Sequence, residues 1–489
     1  MPAPRQEAFL LAMPPVADLL LPTGWICRDE LMDRSQGRAI ELRQQGLAPG
    51  DMLVCAVDGA TAELSIMQGA LALNQAALVP CADAGENSAV RALAAHTGAS
   101  WWWEAGRLIA TDVKQTASLN QAASRLAASD QTVSAASPMA LVIQTSGSSG
   151  GRKAAMLSAA ALQASCERIN ARLDLRPSDL WLCALPRQHI GGLAIGYRCA
   201  LAGAGVLLHQ GFAAERVAAD LWQHPVTHLS LVPAMLARLM AACPRPPDWL
   251  RVVLLGGQAL DAGLAQQALA AGWPLHLGYG MTETCSFIAS RALTAADSMD
   301  AEMALTPLPD VQLQAPDCMA PPPSAALRLT GPMLMSGYAN PERRLGLGLD
   351  AQGWLRSGDL ACLSKGPGLH IIGRADDQLV IAGVNVQPQT IAAQLSECAG
   401  VTHCTLVGLP EPVWGHTLVA LYQGIAPAEQ LDAWCRSQLP SAQRPRLFVR
   451  LDDWPLLTSG KEDRRRLRQL AETAWDENLK FRGNIHASQ

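Results

Sequence analysis

Apolar positions recur at helical spacing over residues 29–46 (Leu31, Ala39, Leu42), and the turn Leu47-Ala48-Pro49-Gly50-Asp51 leads into an unbroken apolar run over 52–57. Residues 61–74 repeat the helical pattern and 76–80 the apolar run, so the chain opens as helix, strand, helix, strand. An Ala-, Ser- and Gln-rich stretch over 115–138 predicts a helix and loop ahead of a further strand, Leu141-Val142-Ile143. From Thr227 the alternation sharpens: strand 228–232, Pro233 at the first turn of a helix over 234–242, strand 251–255 closed by Gly256-Gly257, helix 261–271, strand 274–277. Two successive strand–helix–strand crossovers predict a parallel sheet, with ligands beyond the carboxyl ends of its strands, in the loops after Leu255 and Leu277. The last part reads as a compact α+β unit: strands near 405–408, 418–422 and 447–451, a helix over 427–439, and a basic helix at the end.

At 489 residues the chain has room for two or more domains, each with its own core. A net charge of −5 leaves no basic footprint for nucleic acid, and the dense run Arg464-Arg465-Arg466 with Arg468 reads as one face of the final helix. Thirteen cysteines, none at Cys-x-x-Cys spacing, predict reduced thiols in a cytoplasmic protein. The opening Met1-Pro2-Ala3-Pro4-Arg5 with its short apolar patch does not read as a leader. The longest apolar stretch, 193–208, is interrupted by Arg198 and several glycines, short of the ~20 residues a membrane span needs.

Candidate chemistry sits in the joints of this pattern. After Ile143 a loop holds Thr145, Ser146, Ser148 and Ser149 around Gly147, Gly150 and Gly151, with Arg152 and Lys153 at its exit. Glycines let several N–H groups converge on one anion, hydroxyls add donors and the cations offset charge, so the loop suits phosphate; a solvated Ser/Gly linker is the alternative. A P-loop would need Ser or Thr after the lysine, and Ala154 stands there. The loop Gly278-Tyr279-Gly280-Met281-Thr282-Glu283-Thr284 lets the backbone hug a flat ligand, offers a ring to stack on a base, and sets Thr282 and Glu283 to serve a magnesium–phosphate group. An ordinary strand-to-helix turn is the alternative there. Gly331-Pro332-Met333-Leu334-Met335-Ser336-Gly337-Tyr338 reads as a turn-rich β segment. Gly353-Trp354-Leu355-Arg356-Ser357-Gly358-Asp359 ends a short strand on an aspartate, suited either to two ribose hydroxyls or to a turn. Gly373-Arg374-Ala375-Asp376-Asp377 is a charged turn before a strand. In Thr458-Ser459-Gly460-Lys461 a flexible approach lets one long cationic side chain reach into a site, or simply face water.

Taken in order, these elements resemble those of the adenylate-forming superfamily of acyl-CoA synthetases, luciferases and peptide-synthetase adenylation domains. Departures are Arg152 in place of the usual proline, Ala154 in place of glycine, and Val384 and Thr390 in place of common glutamates. The resemblance implies a large α/β N-terminal domain of parallel-containing sheets flanked by helices, 1–375, and a small, mobile α+β C-terminal domain, 376–489, hinged at Asp376. It implies that Asp359 binds the ribose, that Arg374 contacts the nucleotide, and that Lys461 is catalytic in adenylation. The acyl pocket would be lined by residues 185–196, by Gly256-Gly257 and by residues after Tyr279. His189 stands where the family often places a histidine or aromatic beside the carboxylate, or is a satisfied, partly buried histidine. The implied reaction has two steps: a carboxylic acid attacks the α-phosphate of Mg2+–ATP with loss of pyrophosphate, and the thiol of CoA then displaces AMP. No aspartate lies between 185 and 201 to pair with an amine, so amino acids are disfavoured as substrates. Residues 201–212 (LAGAGVLLHQGF) and 278–286 (GYGMTETCS) look like those of the 2-succinylbenzoate:CoA ligases of menaquinone biosynthesis, with Arg187 and Arg198 either partners of a second substrate carboxylate or structural arginines. Another aryl- or acyl-CoA ligase, or a ligase loading a carrier protein, is the alternative, and a homo-oligomer is left open.

Overall fold

Leu180–Cys183, Gly205–Leu208, His228–Leu231 and Val252–Leu255 are buried at every position, as strands covered on both faces must be. They form the centre of a nine-stranded sheet that runs, edge to edge, Thr306–Pro307, Ser286–Ala292, Leu275–Met281, Val252–Leu255, His228–Leu231, Leu180–Cys183, Gly205–Leu208, Asp18–Leu21 and Gly24–Ile26. From Leu275–Met281 through Asp18–Leu21 every neighbour is parallel, as the crossovers predict. The computed structural model describes the chain except residues 1–16, 22–23, 58–60, 82–86, 112–136, 146–152, 296–303, 319–325, 340–344, 365–367, 382–383, 412–413, 458–461 and 487–489. Most of the stretch 115–138, the phosphate-loop residues Ser146, Gly147, Ser148, Ser149, Gly150, Gly151 and Arg152, and Lys461 therefore lie outside the described residues.

A seven-stranded sheet runs Gly337–Tyr338, Lys153–Ser158, Met139–Thr145, Ala77–Cys81, Met52–Ala56, Trp101–Glu104 and Arg107–Ala110. Helices Ala159–Leu173 and Ile190–Ala202 tie it to the nine-stranded sheet. Their Leu162, Cys166, Leu193, Ala194 and Tyr197 share one apolar core with Leu78, Leu141 and Ile143 of the one and Ile288 and Ala289 of the other. The same core takes in Leu329, Leu355, Ala361 and Leu369 of a four-stranded antiparallel sheet, Gln312–Gln314, Ala326–Thr330, Leu355–Ser364 and Gly368–Arg374. Three sheets thus close on one apolar mass, which fixes their polar edges relative to one another. Toward the C-terminus, strand Gly415–Gly424 alternates by the pleat. Leu418, Ala420 and Tyr422 face helices Pro388–Leu395 and Ala428–Gln438, while Val419 and Leu421 face Leu467 and Ala471 of helix Arg464–His486.

Strands Met139–Thr145 and Lys153–Ser158 pair antiparallel, Thr145 opposite Lys153, and helix Ala159–Leu173 follows, Ser158 Oγ accepting from Ala161 N at 3.2 Å. Three expectations change. Gly278 to Met281 are not a loop but the end of strand Leu275–Met281, paired with Ser286–Ala292 across a register shift at Tyr279/Gly280. Glycine permits this, because a Cβ on Gly280 would run into Ser286 O and the Phe287 backbone. Asp359 lies inside the ten-residue strand Leu355–Ser364 rather than at the end of a short one, since pairing with Gly368–Arg374 extends it. Finally, Cys318 and Cys362 form a disulfide where thiols were expected, because the Asp317–Leu363 bridge lays the two segments side by side; among the described residues no other disulfide forms. Among the described residues no helix is long and apolar enough to cross a membrane.

Candidate active site

The outer edge of strand Lys153–Ser158 pairs with Gly337–Tyr338, Met156 opposite Gly337 and Ala155 opposite Tyr338. This register brings the ammonium of Lys153 to 5.0 Å from the centre of the Tyr338 ring. The Tyr338 phenol donates to Glu283 Oε1 at 2.8 Å, and Met335 N donates to the Glu283 carbonyl at 2.8 Å. Burial, then the charge of Glu283, pushes the phenol up, so it remains a donor at neutral pH. Thr282 and Glu283 occupy the single-turn helix Thr282–Thr284, both half-buried, and the Thr284 hydroxyl anchors the turn by accepting from Met281 N at 3.1 Å. Thr145, at the near end of the hairpin loop, donates through its hydroxyl to Lys153 O at 3.4 Å.

Alongside lies a second pairing. The Tyr279 phenol donates to Asp359 Oδ2 at 2.6 Å, and Arg374 Nη1 donates to Asp359 Oδ1 at 3.1 Å. Asp359 and Arg374 stand directly opposite across two strands, and Gly358 makes room for the guanidinium, since a Cβ there would lie 2.5 Å from Arg374 Nη2. Burial and then the Asp359 charge hold Tyr279 well above the ordinary phenol range. Burial works to lower Arg374, but Asp359 outweighs it and Asp376, accepting from Nη2 at 3.4 Å, adds to the rise. Gly256 closes the neighbouring strand end backbone to backbone: a Cβ on it would meet Gly278 O at 3.2 Å. The structure thus draws Lys153, Glu283, Tyr279, Asp359 and Arg374 together from separate segments. It also adds Tyr338, which sequence reasoning passed over; the one local signal for it is an aromatic directly after Gly337, whose φ of +127° marks a close backbone approach.

The expected acyl-side residues sort differently. His189 is exposed at the start of helix Ile190–Ala202, its carbonyl accepting from Leu193 N at 3.0 Å. Arg187 is buried and donates through Nη2 to Thr61 O at 3.3 Å. Arg198 is 1% exposed, and its Nε and Nη2 have no hydrogen-bond partner among the described residues. Its guanidinium lies 5.5 Å from the Trp181 ring and 5.7 Å from that of Phe287, which itself packs on Gly278. Burial lowers its pKa, yet a guanidinium stays charged, so a buried cation with two unmet donors, set against two aromatic rings, lies one ring away from the strand that carries Tyr279.

The acidic turn and the arginine-held aspartate lie at one junction of sheets in an α/β protein. The chain belongs to the AMP-binding enzyme family: the model of that description matches residues 20–339, and that of the AMP-binding enzyme C-terminal domain matches residues 390–461. The 2-succinylbenzoate–CoA ligase of Bacillus velezensis is 30% identical over 338 residues, 68% of this chain and 69% of that protein. That of Bacillus pumilus is 32% identical over 304 residues, 60% of this chain and 62% of that protein, so the chain covers less than two thirds of this relative's length. Among solved structures, o-succinylbenzoate CoA synthetase (MenE) of Bacillus subtilis in complex with the acyl-adenylate intermediate OSB-AMP shares 25% identity at a TM-score of 0.74, over 95% of this chain and 97% of that one. ATP-bound MatB of Rhodopseudomonas palustris shares the fold at a TM-score of 0.77 and 21% identity, over 94% of this chain and 96% of that one. The expected adenylate-forming architecture is the architecture of these neighbours.

Proposed function

We propose that this chain is an AMP-forming carboxylate–CoA ligase acting on 2-succinylbenzoate, in menaquinone biosynthesis in the cytoplasm. The observation that carries the reading is the convergence of Lys153, Glu283, Tyr279, Asp359 and Arg374 on one junction. A carboxylate is a poor nucleophile toward an anionic phosphate, so a ligase must neutralise charge and impose geometry. Lys153, Thr145 and the loop residues Ser146, Gly147, Ser148, Ser149 and Gly150 hold the phosphates, Asp359 takes the ribose hydroxyls, and Tyr279 and Arg374 border the nucleotide. Lys461 bridges the acid and the α-phosphate in the first half-reaction. A small C-terminal unit pivoting at the exposed Asp376 then withdraws it, giving the pantetheine arm of CoA room to attack.

A divalent cation fits the residues present. Among the described residues no group of three or more His, Cys, Asp or Glu side chains could hold a metal alone. Magnesium, however, is commonly bound by one or two carboxylates together with nucleotide phosphates, and Glu283 offers such an oxygen donor at the phosphate side. When bound, the ion shields phosphate oxygens from one another.

For the acid, the names of the relatives, the acyl-adenylate bound by the Bacillus subtilis neighbour, and Arg198 support a substrate with a second carboxylate. A buried guanidinium with two donors unmet favours an anion, and a dicarboxylic acid supplies one while its other carboxylate reacts. The test is carboxylate-dependent pyrophosphate release from Mg2+–ATP over a panel of 2-succinylbenzoate, benzoates and fatty acids of several lengths, with and without CoA. A selective signal and a thioester by mass with 2-succinylbenzoate support the reading. Activity confined to another acid keeps the chemistry and discards the substrate; acyl transfer only to a carrier protein replaces CoA; no release with any acid overturns the ligase reading.

A further inference from the structure

The segment 331–338 has no part in the function argued so far, yet its last residue touches both halves of the phosphate side. We infer that Tyr338 is a positioning residue whose hydroxyl aims the Glu283 carboxylate at the cation of Mg2+–ATP while its ring face seats the Lys153 ammonium. The inference rests on reading Glu283 as the carboxylate that meets the metal.

Three observations support it. The ring is hemmed in: a Cβ on Gly348, where φ is +92°, would collide with the Tyr338 ring edge, so that edge lies close against the Gly348 backbone. Backbone bonds lock the same residue in place, Tyr338 N donating to Leu347 O at 2.7 Å and Gly346 N to Ser336 O at 2.8 Å. Its neighbours are tied to both targets, since Met335 N donates to Glu283 O at 2.8 Å, and Ser336 N and Ala339 N donate to Met156 O at 2.9 Å and Ala154 O at 2.7 Å, on the strand that Lys153 begins. The segment is therefore a strap across the acidic turn and the lysine strand, and Tyr338 is the one side chain on it bonded to the first and stacked under the second. With Oε1 held by the phenol, one oxygen of Glu283 is placed before any ligand arrives, and binding a hard cation at a fixed distance gains from that preorganisation.

The two contacts separate by mutation. Tyr338→Phe keeps the ring under Lys153 and removes the bond to Glu283; Tyr338→Leu removes both. Binding is followed in the wild type and each variant with Mn2+ as the probe, reading free Mn2+ by electron paramagnetic resonance in the presence of ATP, and with ATP alone in EDTA by calorimetry. The expected result is about tenfold weaker Mn2+–ATP binding in Tyr338→Phe with metal-free ATP unchanged, the size of losing one charge-assisted hydrogen bond. Tyr338→Leu should in addition weaken metal-free ATP by about threefold, through Lys153. In a Glu283→Gln background, Tyr338→Phe should add nothing to the loss. Wild-type Mn2+–ATP affinity in Tyr338→Phe overturns the inference, as does an equal loss with and without metal, or a full additional loss beside Glu283→Gln. A wild-type protein that binds Mn2+–ATP but activates no acid would remove the ligase reading and leave this one standing.

Discussion

Two charged regions of this molecule are built on opposite terms. Around the nucleotide side each charge already has a partner: Asp359 has Tyr279 and Arg374, Glu283 has Tyr338, and Lys153 has an aromatic face. Arg198, buried among Trp181, Phe287 and apolar neighbours, leaves two nitrogens without a hydrogen bond among the described residues. The first arrangement holds its geometry through its own bonds. The second leaves two buried donors unmet, which costs stability. His276, in the same large sheet, shows what the fold does with a base that can discharge. Burial, then Arg172 and His228, lowers it to about 4, and it faces Ser290 Oγ at 3.0 Å as a neutral ring. Arg198 has no such escape.

The sharpest way to break the contrast lies on the nucleotide side. Lys461→Ala should slow adenylate formation about a thousandfold while CoA attack on a supplied acyl-adenylate stays within about threefold, in single-turnover measurements of each half-reaction. Equal losses in both would end the division of labour between the two steps.

Next in size is the discharged base. Between about pH 6.5 and about 4 the unfolded chain protonates His276 and the folded one does not, so its contribution is complete above 6.5 and disappears as pH falls through 4. Denaturant unfolding should show on the order of 3 kcal/mol lost over that window, and a shallower slope in His276→Asn. Slopes that coincide would mean the imidazole is already charged in the fold.

Arg198→Met tests the buried cation. Replacing a buried guanidinium that leaves two donors unmet by an apolar side chain of similar length should raise the melting temperature by a few degrees, roughly 1–2 kcal/mol. The same change should raise KM for 2-succinylbenzoate about a hundredfold with KM for ATP unaltered. An unchanged KM for the acid would assign Arg198 to structure alone. The smallest effect is expected of Asp359→Asn, which keeps the shape and weakens the bonds to Tyr279 and Arg374: about a tenfold rise in KM for ATP and none for the acid.

The sequence alone carried whatever depends on neighbours along the chain. Apolar runs and period-3.6 patterning marked the parallel strands 228–255, their crossover helices and the strand 418–422 near the C-terminus, because burial writes itself into consecutive residues. Glycine placement marked the Gly278–Glu283 stretch, because close backbone approach at Gly280 excludes a Cβ. Only the tertiary structure could decide what those pieces touch. Tyr279 meets Asp359 across 80 residues and Tyr338 meets Glu283 across 55, and both pairs exist through strand register, in which a slip of one residue would turn a side chain to the opposite face. Nor does local pattern tell a strand from a loop at Gly278, or a paired arginine from Arg198: pairing is a property of what surrounds a side chain in space, and its surroundings come from every sheet that closes on the core.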